Sequence, residues 1–158
     1  MRRVVVILAL PILLASRSYS PPPILRAEYV RAAPTMAERI GRIAAAYGVP
    51  PEILLGVAMA ESSMRPDAVS ADGLDRGMFQ LRSIYDAERA EKWGAFDAFD
   101  PLSSARIAAL ILREDYSRLG SWDLAIASYR QGVRGVRRRG PDRWYVDRVR
   151  GMACRSTQ

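Results

Sequence analysis

No stretch of this chain longer than three or four residues alternates apolar and polar side chains, so the sequence offers nothing from which to build an extended sheet. What recurs instead is the helical period, in segments cut to length by proline and glycine. Thr35-Met36-Ala37-Glu38 after Pro34 is a capping-box pattern. It opens a helix that turns Met36, Ile40, Ile43, Ala44 and Tyr47 inward, with Gly48 as its stop. Val49-Pro50-Pro51 breaks the chain before a nearly apolar helix over residues 51–63. Residues 65–77 form a turn-rich loop punctuated by Pro66, Gly73 and Gly77, and a helix beginning at Met78 or Ser83 then runs to Trp93. A loop over 94–101 leads to the longest helix, 102–119, which Gly120 ends. Ser121 is placed to cap a helix over 122–129, whose core-like residues are Leu124, Ile126 and Ala127. Gln131-Gly132 turns the chain, 133–139 is a short basic segment, and 142–152 is the last helix. The expectation is a mainly α domain of six or seven helices.

Within this pattern Glu61 is out of place. Ile53, Val57 and Ala60 fall at i, i+4 and i+7 of the apolar helix, and Glu61 at i+8 lies on the same stripe. A carboxylate on the inward edge of an apolar helix is disfavoured while ionised, so its pKa should rise, as a general acid near neutral pH requires. A glutamate emerging into solvent at the helix end is the plainer alternative.

Elimination strengthens the carboxylate reading. The chain has no histidine and a single cysteine, Cys154 near the C-terminus. That excludes a His/Cys metal cluster, a Ser-His-Asp triad, a Cys-His pair and an internal disulfide. Any catalysis runs on carboxylates, hydroxyls and amides, with no metal and no cofactor expected. Among 158 residues, 49% hydrophobic content suffices for one core, and the formal charge of +7 is carried almost wholly by arginine, Lys92 being the single lysine. Such a balance implies an anionic partner.

The N-terminus says where that partner lies. Met1-Arg2-Arg3 precedes an apolar run over residues 4–15, followed by small residues suited to signal peptidase. The run is short of the roughly 20 residues that span a bilayer. Cleavage after Ser18 is expected, with an uncleaved anchor as the alternative. The expected organisation is a signal peptide over 1–18, a linker over 19–33 containing Pro21-Pro22-Pro23, a catalytic domain over 34–152 and a tail over 153–158. An exported protein, periplasmic or wall-associated, has little access to nucleic acid, so no nucleic-acid partner is expected. Arg134, Arg137, Arg138 and Arg139 are expected to hold anionic wall polymer instead.

Several segments then line up. Glu61-Ser62, residues 70–80 with Ser70, Gly73, Gly77 and Gln80, Asp100-Pro101, residues 129–136, and Tyr145-Val146-Asp147-Arg148-Val149 occur in this order. Together they resemble the soluble lytic transglycosylase (SLT) domain of the lysozyme-like superfamily, whose pattern runs E-S, S-x-x-G-x-x-G-L-M-Q, D-P, A-Y-N-A-G-x-x-x-V and Y-V-x-x-V. The resemblance covers residues 36–150. It implies a lysozyme-like, goose-type helical domain with a short loop or minimal β region beside the catalytic helix. It also implies Glu61 as sole acid and base, and Ser70, Gln80, Tyr129 and Tyr145 as cleft residues that bind substrate or position the acid. The chain departs from the pattern in three places. The loop between Ser70 and Gln80 is one residue longer and carries Asp72 and Asp75, Arg82-Ser83 stands where Met-Pro is usual, and Arg130-Gln131 stands for Asn-Ala. Gln131 is a candidate replacement for the missing asparagine amide, and Arg130 a candidate partner for a peptide or lactyl carboxylate.

The resemblance implies cleavage of peptidoglycan glycan strands between N-acetylmuramic acid and N-acetylglucosamine, leaving a 1,6-anhydro end. Two alternatives stay open at this point. One is hydrolysis, with Asp72 or Asp75 as a second carboxylate activating water. The other is a non-catalytic wall-binding or assembly protein on the same scaffold. A small domain without accessory modules suits a monomer directed by a secretion or flagellar assembly partner.

Overall fold

Proline and glycine set the helix boundaries almost where the pattern places them. The computed structural model describes residues 33–155, with side chains described as far as Met152. The expectations for a signal peptide, for most of the linker and for the thiol of Cys154 lie outside the described residues. From Pro34 onward the described chain forms one compact unit, and no helix among its described residues is long and apolar enough to cross a membrane.

Helix α1 (Met36–Ala46) starts at Thr35 with both halves of the capping box made. The Glu38 amide donates to Thr35 Oγ1 at 3.2 Å and the Thr35 amide donates to Glu38 Oε2 at 2.7 Å. Two orphan donors of the first turn are thereby satisfied. Ile40 and Ala44, one turn apart, are fully buried.

Helix α2 (Pro51–Ser62) begins with Pro at its first position, where the missing N–H is no loss. Six consecutive residues, Ile53, Leu54, Leu55, Gly56, Val57 and Ala58, are buried, so the middle of this helix has no solvent face. That corrects the expectation of an apolar stripe: α2 is apolar all round because it is the central helix, wrapped on every side. It stops at Ser63 and Met64, both left-handed at φ 56° and 66°.

The loop that follows carries the whole β content of the described residues. Strand β1 (Asp75–Arg76) pairs antiparallel with β2 (Leu81–Arg82), Asp75 opposite Arg82 and Arg76 opposite Leu81. Gly77 at the turn has φ 73°, and a Cβ there would lie 1.8 Å from the carbonyl oxygen of Ala98, so only glycine lets these two loops meet. The helix expected from Met78 or Ser83 begins later. Met78 to Arg82 is turn and strand, Ser83–Tyr85 is one 3₁₀ turn, and α3 (Asp86–Trp93) follows. The physical reason is tertiary: Met78, Phe79 and Leu81 are all inside, and the carbonyls of Met78 and Phe79 are taken by the hydroxyls of Ser62 and Tyr129, which holds the segment in the loop and strand instead of a helix.

Helix α4 (Pro101–Leu119) is the longest, capped by Asp100 accepting from the Ser103 amide at 2.6 Å and ended by Gly120 at φ 74°. Helix α5 (Trp122–Arg139) runs on beyond the predicted 129, but Gly132 inside it is non-helical at φ 70°, ψ 155°, so the chain does turn where Gln131-Gly132 suggested. Ser121 precedes α5 without a side-chain cap bond. Helix α6 (Arg143–Arg155) outlasts the predicted end at 152. It packs along α2, and Gly56 makes that possible: a Cβ there would stand 2.4 Å from the backbone oxygen of Val149. The core unites α1, α2, α4, α5 and α6 with Met78, Phe79 and Leu81 from the loop. The mainly α, lysozyme-like architecture with a minimal β region is what the structure shows.

Candidate active site

The central helix delivers Glu61 to the surface at its last turn, where burial gives way to a cleft of ≈ 420 Å³. The next residue, Ser62, is buried and anchors the neighbouring loop. Its hydroxyl donates to the Met78 carbonyl at 2.8 Å and accepts from the Arg65 amide at 3.0 Å. The Glu-Ser pair thus works as a unit, one residue facing the cleft and the other tying the β loop beside it.

Facing Glu61 across the cleft are Asp75, Gln80, Tyr129, Arg130 and Gln131. Tyr129, on α5, donates its hydroxyl to the Phe79 carbonyl at 2.9 Å and so braces the loop that carries Gln80. Gln80 adopts φ 46°, unusual outside glycine, and its amide nitrogen donates to the carbonyls of Gly77 at 2.9 Å and Ala68 at 3.2 Å. Those two bonds hold the loop closed and offset the strain of the left-handed backbone. Gln131 is also engaged with the chain: its amide donates to the Gly140 carbonyl at 2.8 Å and its oxygen accepts from the Asp142 amide at 3.1 Å. It clips the α5–α6 connection together while bordering the cleft.

Tyr145 is the closest partner of the acid. It is 3% exposed, and its hydroxyl donates to Glu61 Oε1. It supports the carboxyl from the core and does not line the cleft itself. Burial pushes the pKa of Glu61 above the usual carboxylate range. The Tyr145 hydrogen bond is the largest opposing influence, followed by the charge of Arg130, while Asp75 adds to the upward push and Arg148 opposes it. Burial, with the negative charge of Glu61 second, pushes both phenols well above the normal tyrosine range, so Tyr129 and Tyr145 stay neutral donors at any working pH.

The two candidate second carboxylates part company. Asp72 does not line the cleft. It accepts from Ser70 Oγ at 2.5 Å and from the Leu74 amide at 3.1 Å, and the hydrogen bond from Ser70, first, holds its pKa low. Ser70 accepts in turn from the Asp75 amide at 2.9 Å, so Ser70 and Asp72 build the loop and their polar atoms meet inside it. Asp75 does border the cleft, and both its oxygens lie 3.2 Å from Nη1 of Arg82.

Three features escape a reading of sequence alone. Arg82, seen only as a departure from Met-Pro, is the partner of Asp75. Trp144 and Arg148, adjacent to Tyr145 and one turn after it, cluster with Arg130, which borders the cleft. Asp115 on α4 is 7% exposed and meets the cleft-bordering Ser128, whose hydroxyl lies 2.6 Å from Asp115 Oδ2 and 2.8 Å from the Ala125 carbonyl. A hydroxyl has one proton, so both contacts are full hydrogen bonds only when Asp115 is protonated, and burial does push its pKa up. The available signal was its register, one turn beyond Ile111 on the face that α4 turns toward the cleft.

Comparison with known proteins agrees with this geometry. Residues 38–143 match the family model of the transglycosylase SLT domain. A protein of Enterobacteria phage PRD1 described as a transglycosylase is 33% identical over 96 residues, which make up 61% of this chain and 34% of the phage protein. The match thus spans about a third of that relative's length.

Proposed function

The chain belongs to the transglycosylase SLT domain family, and from that premise we propose that it is an exported lytic transglycosylase acting on peptidoglycan glycan strands, with Glu61 as its acid and then its base. One observation carries the reading. Glu61 is the cleft carboxylate whose surroundings favour the protonated form, while Asp75, the other carboxylate bordering the cleft, is paired with Arg82.

Protonated Glu61 gives its proton to the glycosidic oxygen between N-acetylmuramic acid and N-acetylglucosamine, and the C1–O bond breaks. Positive charge developing at C1 is met by the carbonyl oxygen of that sugar's own N-acetyl group, so no enzyme nucleophile is required. Glu61, now ionised, takes the proton of the C6 hydroxyl as that oxygen closes onto C1. The product is a 1,6-anhydro sugar, and the acid returns to its starting state. Tyr145 serves both halves: its hydrogen bond supports the ionised form and orients the carboxyl in either state. Gln80 and Tyr129 shape the cleft wall against which the sugar rests, and the exposed remainder of Gln131 borders it.

Two-carboxylate hydrolysis would need an unencumbered second carboxylate to activate water. Asp75 is held by Arg82, and Asp72 is spent inside its own loop and exposed outside the cleft. The lone-acid route is therefore favoured. Export and a wall location belong to the same proposal, motivated by the basic-apolar start of the sequence.

Mass spectrometry of digested sacculi tests the reaction. The expected products end in anhydro sugar, which lacks the water that hydrolysis adds, and Glu61→Gln is expected to lower the rate about 10²-fold or more. Hydrated ends would establish a muramidase instead. Wild type that clears peptidoglycan no better than Glu61→Gln would end the enzyme reading built on Glu61.

A further inference from the structure

Beside the cleft two cations converge on one exposed ring. The guanidinium of Arg130 lies 5.4 Å from the ring centroid of Trp144 and 5.7 Å from that of Tyr145. The guanidinium of Arg148 lies 5.5 Å from the same Trp144 ring and donates from Nη2 to the Ala60 carbonyl at 3.0 Å, one residue before the acid. Trp144 itself is 61% exposed, among the most exposed large apolar side chains described.

The Arg148 bond ties α6 to the end of α2, but packing does not explain why both cations meet one exposed ring. Two like charges beside one indole repel, and an exposed tryptophan gains little from burial. Among the described residues only one carboxylate forms an ion pair with them, Asp142, at 3.5 Å from Arg130 Nη1, and the Arg130 side chain remains 51% exposed. Stacking on aromatic rings does achieve something else. It holds planar guanidiniums in place while leaving part of each N–H fork available beyond the Ala60 and Asp142 contacts, which lowers the entropy lost when they grip a planar anion. Arg130 also borders the cleft that holds Glu61.

The anion follows from the proposed substrate, on which this inference rests. A glycan backbone of N-acetylated sugars is neutral. The negative charges near the scissile bond are carboxylates attached through the lactyl ether of the muramic sugar: the lactyl group itself where the strand is bare, or the stem peptide where it is not. We infer that Arg130 and Arg148, mounted on Trp144, form a carboxylate-recognition rim that selects glycan strands bearing muramic acid over neutral strands. Both arginines are specificity-determining groups that act on the substituent, away from the bond that breaks. A bidentate guanidinium–carboxylate pair also fixes the ring to which that carboxylate belongs, and so its register over Glu61.

Binding, measured separately from cleavage, tests the rim. Full-length Glu61→Gln protein is titrated calorimetrically at low salt with three tetrasaccharides: an N-acetylglucosamine tetramer, a bare alternating N-acetylglucosamine–N-acetylmuramic acid tetramer, and the same alternating tetramer carrying stem peptides. The expected result is about tenfold tighter binding of at least one charged tetramer than of the neutral one. The tighter of the two identifies the lactyl or the peptide carboxylate as the ligand. Arg130→Gln and Arg148→Gln in this background should each reduce that ratio, and together bring it near one. Arg130→Lys, which keeps the charge but not the fork, should fall between. Arg42→Gln, an exposed arginine on α1, controls for net charge.

Equal affinity for the charged and neutral tetramers overturns the inference. So does a preference that survives the double substitution, or one that Arg42→Gln reduces as much. If the ratio behaves as expected while wild type yields no anhydro ends, the cleavage reading fails and the rim stands. Anhydro ends together with a ratio near one sink the rim and leave the cleavage reading standing.

Discussion

Gly56→Ala is the sharpest test of how the core positions the acid. In an isolated helix this change would help, since alanine exceeds glycine in helix propensity by about 1 kcal/mol. Here the added Cβ would lie 2.4 Å from the Val149 carbonyl oxygen, 3.2 Å from its carbonyl carbon and 3.1 Å from its Cγ1. Ordinary contact resumes near 3.5 Å, so α6 must retreat by about 1 Å. A side chain could swing aside, but the backbone oxygen of a helix cannot. The retreat also loosens Tyr145, Val146 and Val149, which are 3%, 2% and 0% exposed and seal α6 to α2. Overpacking of this kind costs about 1–3 kcal/mol. With the nearest atom a fixed carbonyl we place it at the upper end, leaving a net loss of about 2 kcal/mol after the propensity gain. For a domain of this size that lowers Tm by about 5–10 °C. Tyr145 travels with α6, so its hydroxyl draws away from Glu61, and displacement of about 1 Å at a catalytic group can cost roughly 10²-fold in rate. Urea titration followed by circular dichroism, with kcat/KM on the same samples, measures both effects. Gly41→Ala is the built-in contrast: on α1 its Cβ would meet only Pro51 Cβ at 3.7 Å, so it should stabilise by about 0.5–1 kcal/mol. A Gly56→Ala protein as stable as wild type, or one that is destabilised yet fully active, would refute the reasoning.

The remaining predictions concern charge. Because burial raises the pKa of Glu61 in the folded state above its ordinary value of 4.5, the unfolded chain ionises first, and wild-type stability falls as pH rises from about 4.5 through the folded value. Glu61→Gln removes that loss, so it should melt higher than wild type at pH 7 and the gap should close below about pH 4.5; thermal melts at both ends decide, and a constant gap would contradict the buried-acid assignment. Tyr145→Phe removes the hydrogen bond that most strongly opposes the upward shift of Glu61, so the alkaline limb of the kcat/KM profile should move to higher pH while activity falls about tenfold; a limb that stays put would show the contact to be without electrostatic effect. Arg134, Arg137, Arg138 and Arg139 are exposed toward the end of α5 and carry no ion pair among the described residues, so reversing Arg137, Arg138 and Arg139 to glutamate should abolish a salt-sensitive association with purified wall. Wall association that ignores salt would exclude this patch as the anchor.

Local chemistry is legible in the sequence wherever one or two residues suffice to dictate geometry. The Thr35–Glu38 capping box, the proline start of α2 and the glycine stop at Gly120 all form as their residue types dictate, because their geometry is set within one turn. The turn at Gly132 is legible too, since only glycine takes φ 70° freely. The segment after Met78 departs from its expected helix for the complementary reason: its three buried side chains have the spacing of a helix start, but the Ser62 and Tyr129 bonds that pin it come from residues 16 and 50 positions away.

By itself, then, the sequence determined a helical chain whose chemistry had to run on a carboxylate, and it singled out Glu61 as the carboxylate set among apolar neighbours. Only the tertiary structure decided which polar groups that acid meets. Tyr145 lies 84 residues from Glu61 in sequence and reaches it only because Gly56 lets α6 close onto α2. Asp72 and Asp75, equal candidates three residues apart, are separated by a β turn that leaves one at the cleft and the other in its own loop. Arg130 and Arg148, two more charges in an arginine-rich chain, become a pair because one indole holds both. Periodicity and capping are encoded within a few bonds of the backbone, whereas the electrostatics of a site depend on distances through space that a one-dimensional pattern does not contain.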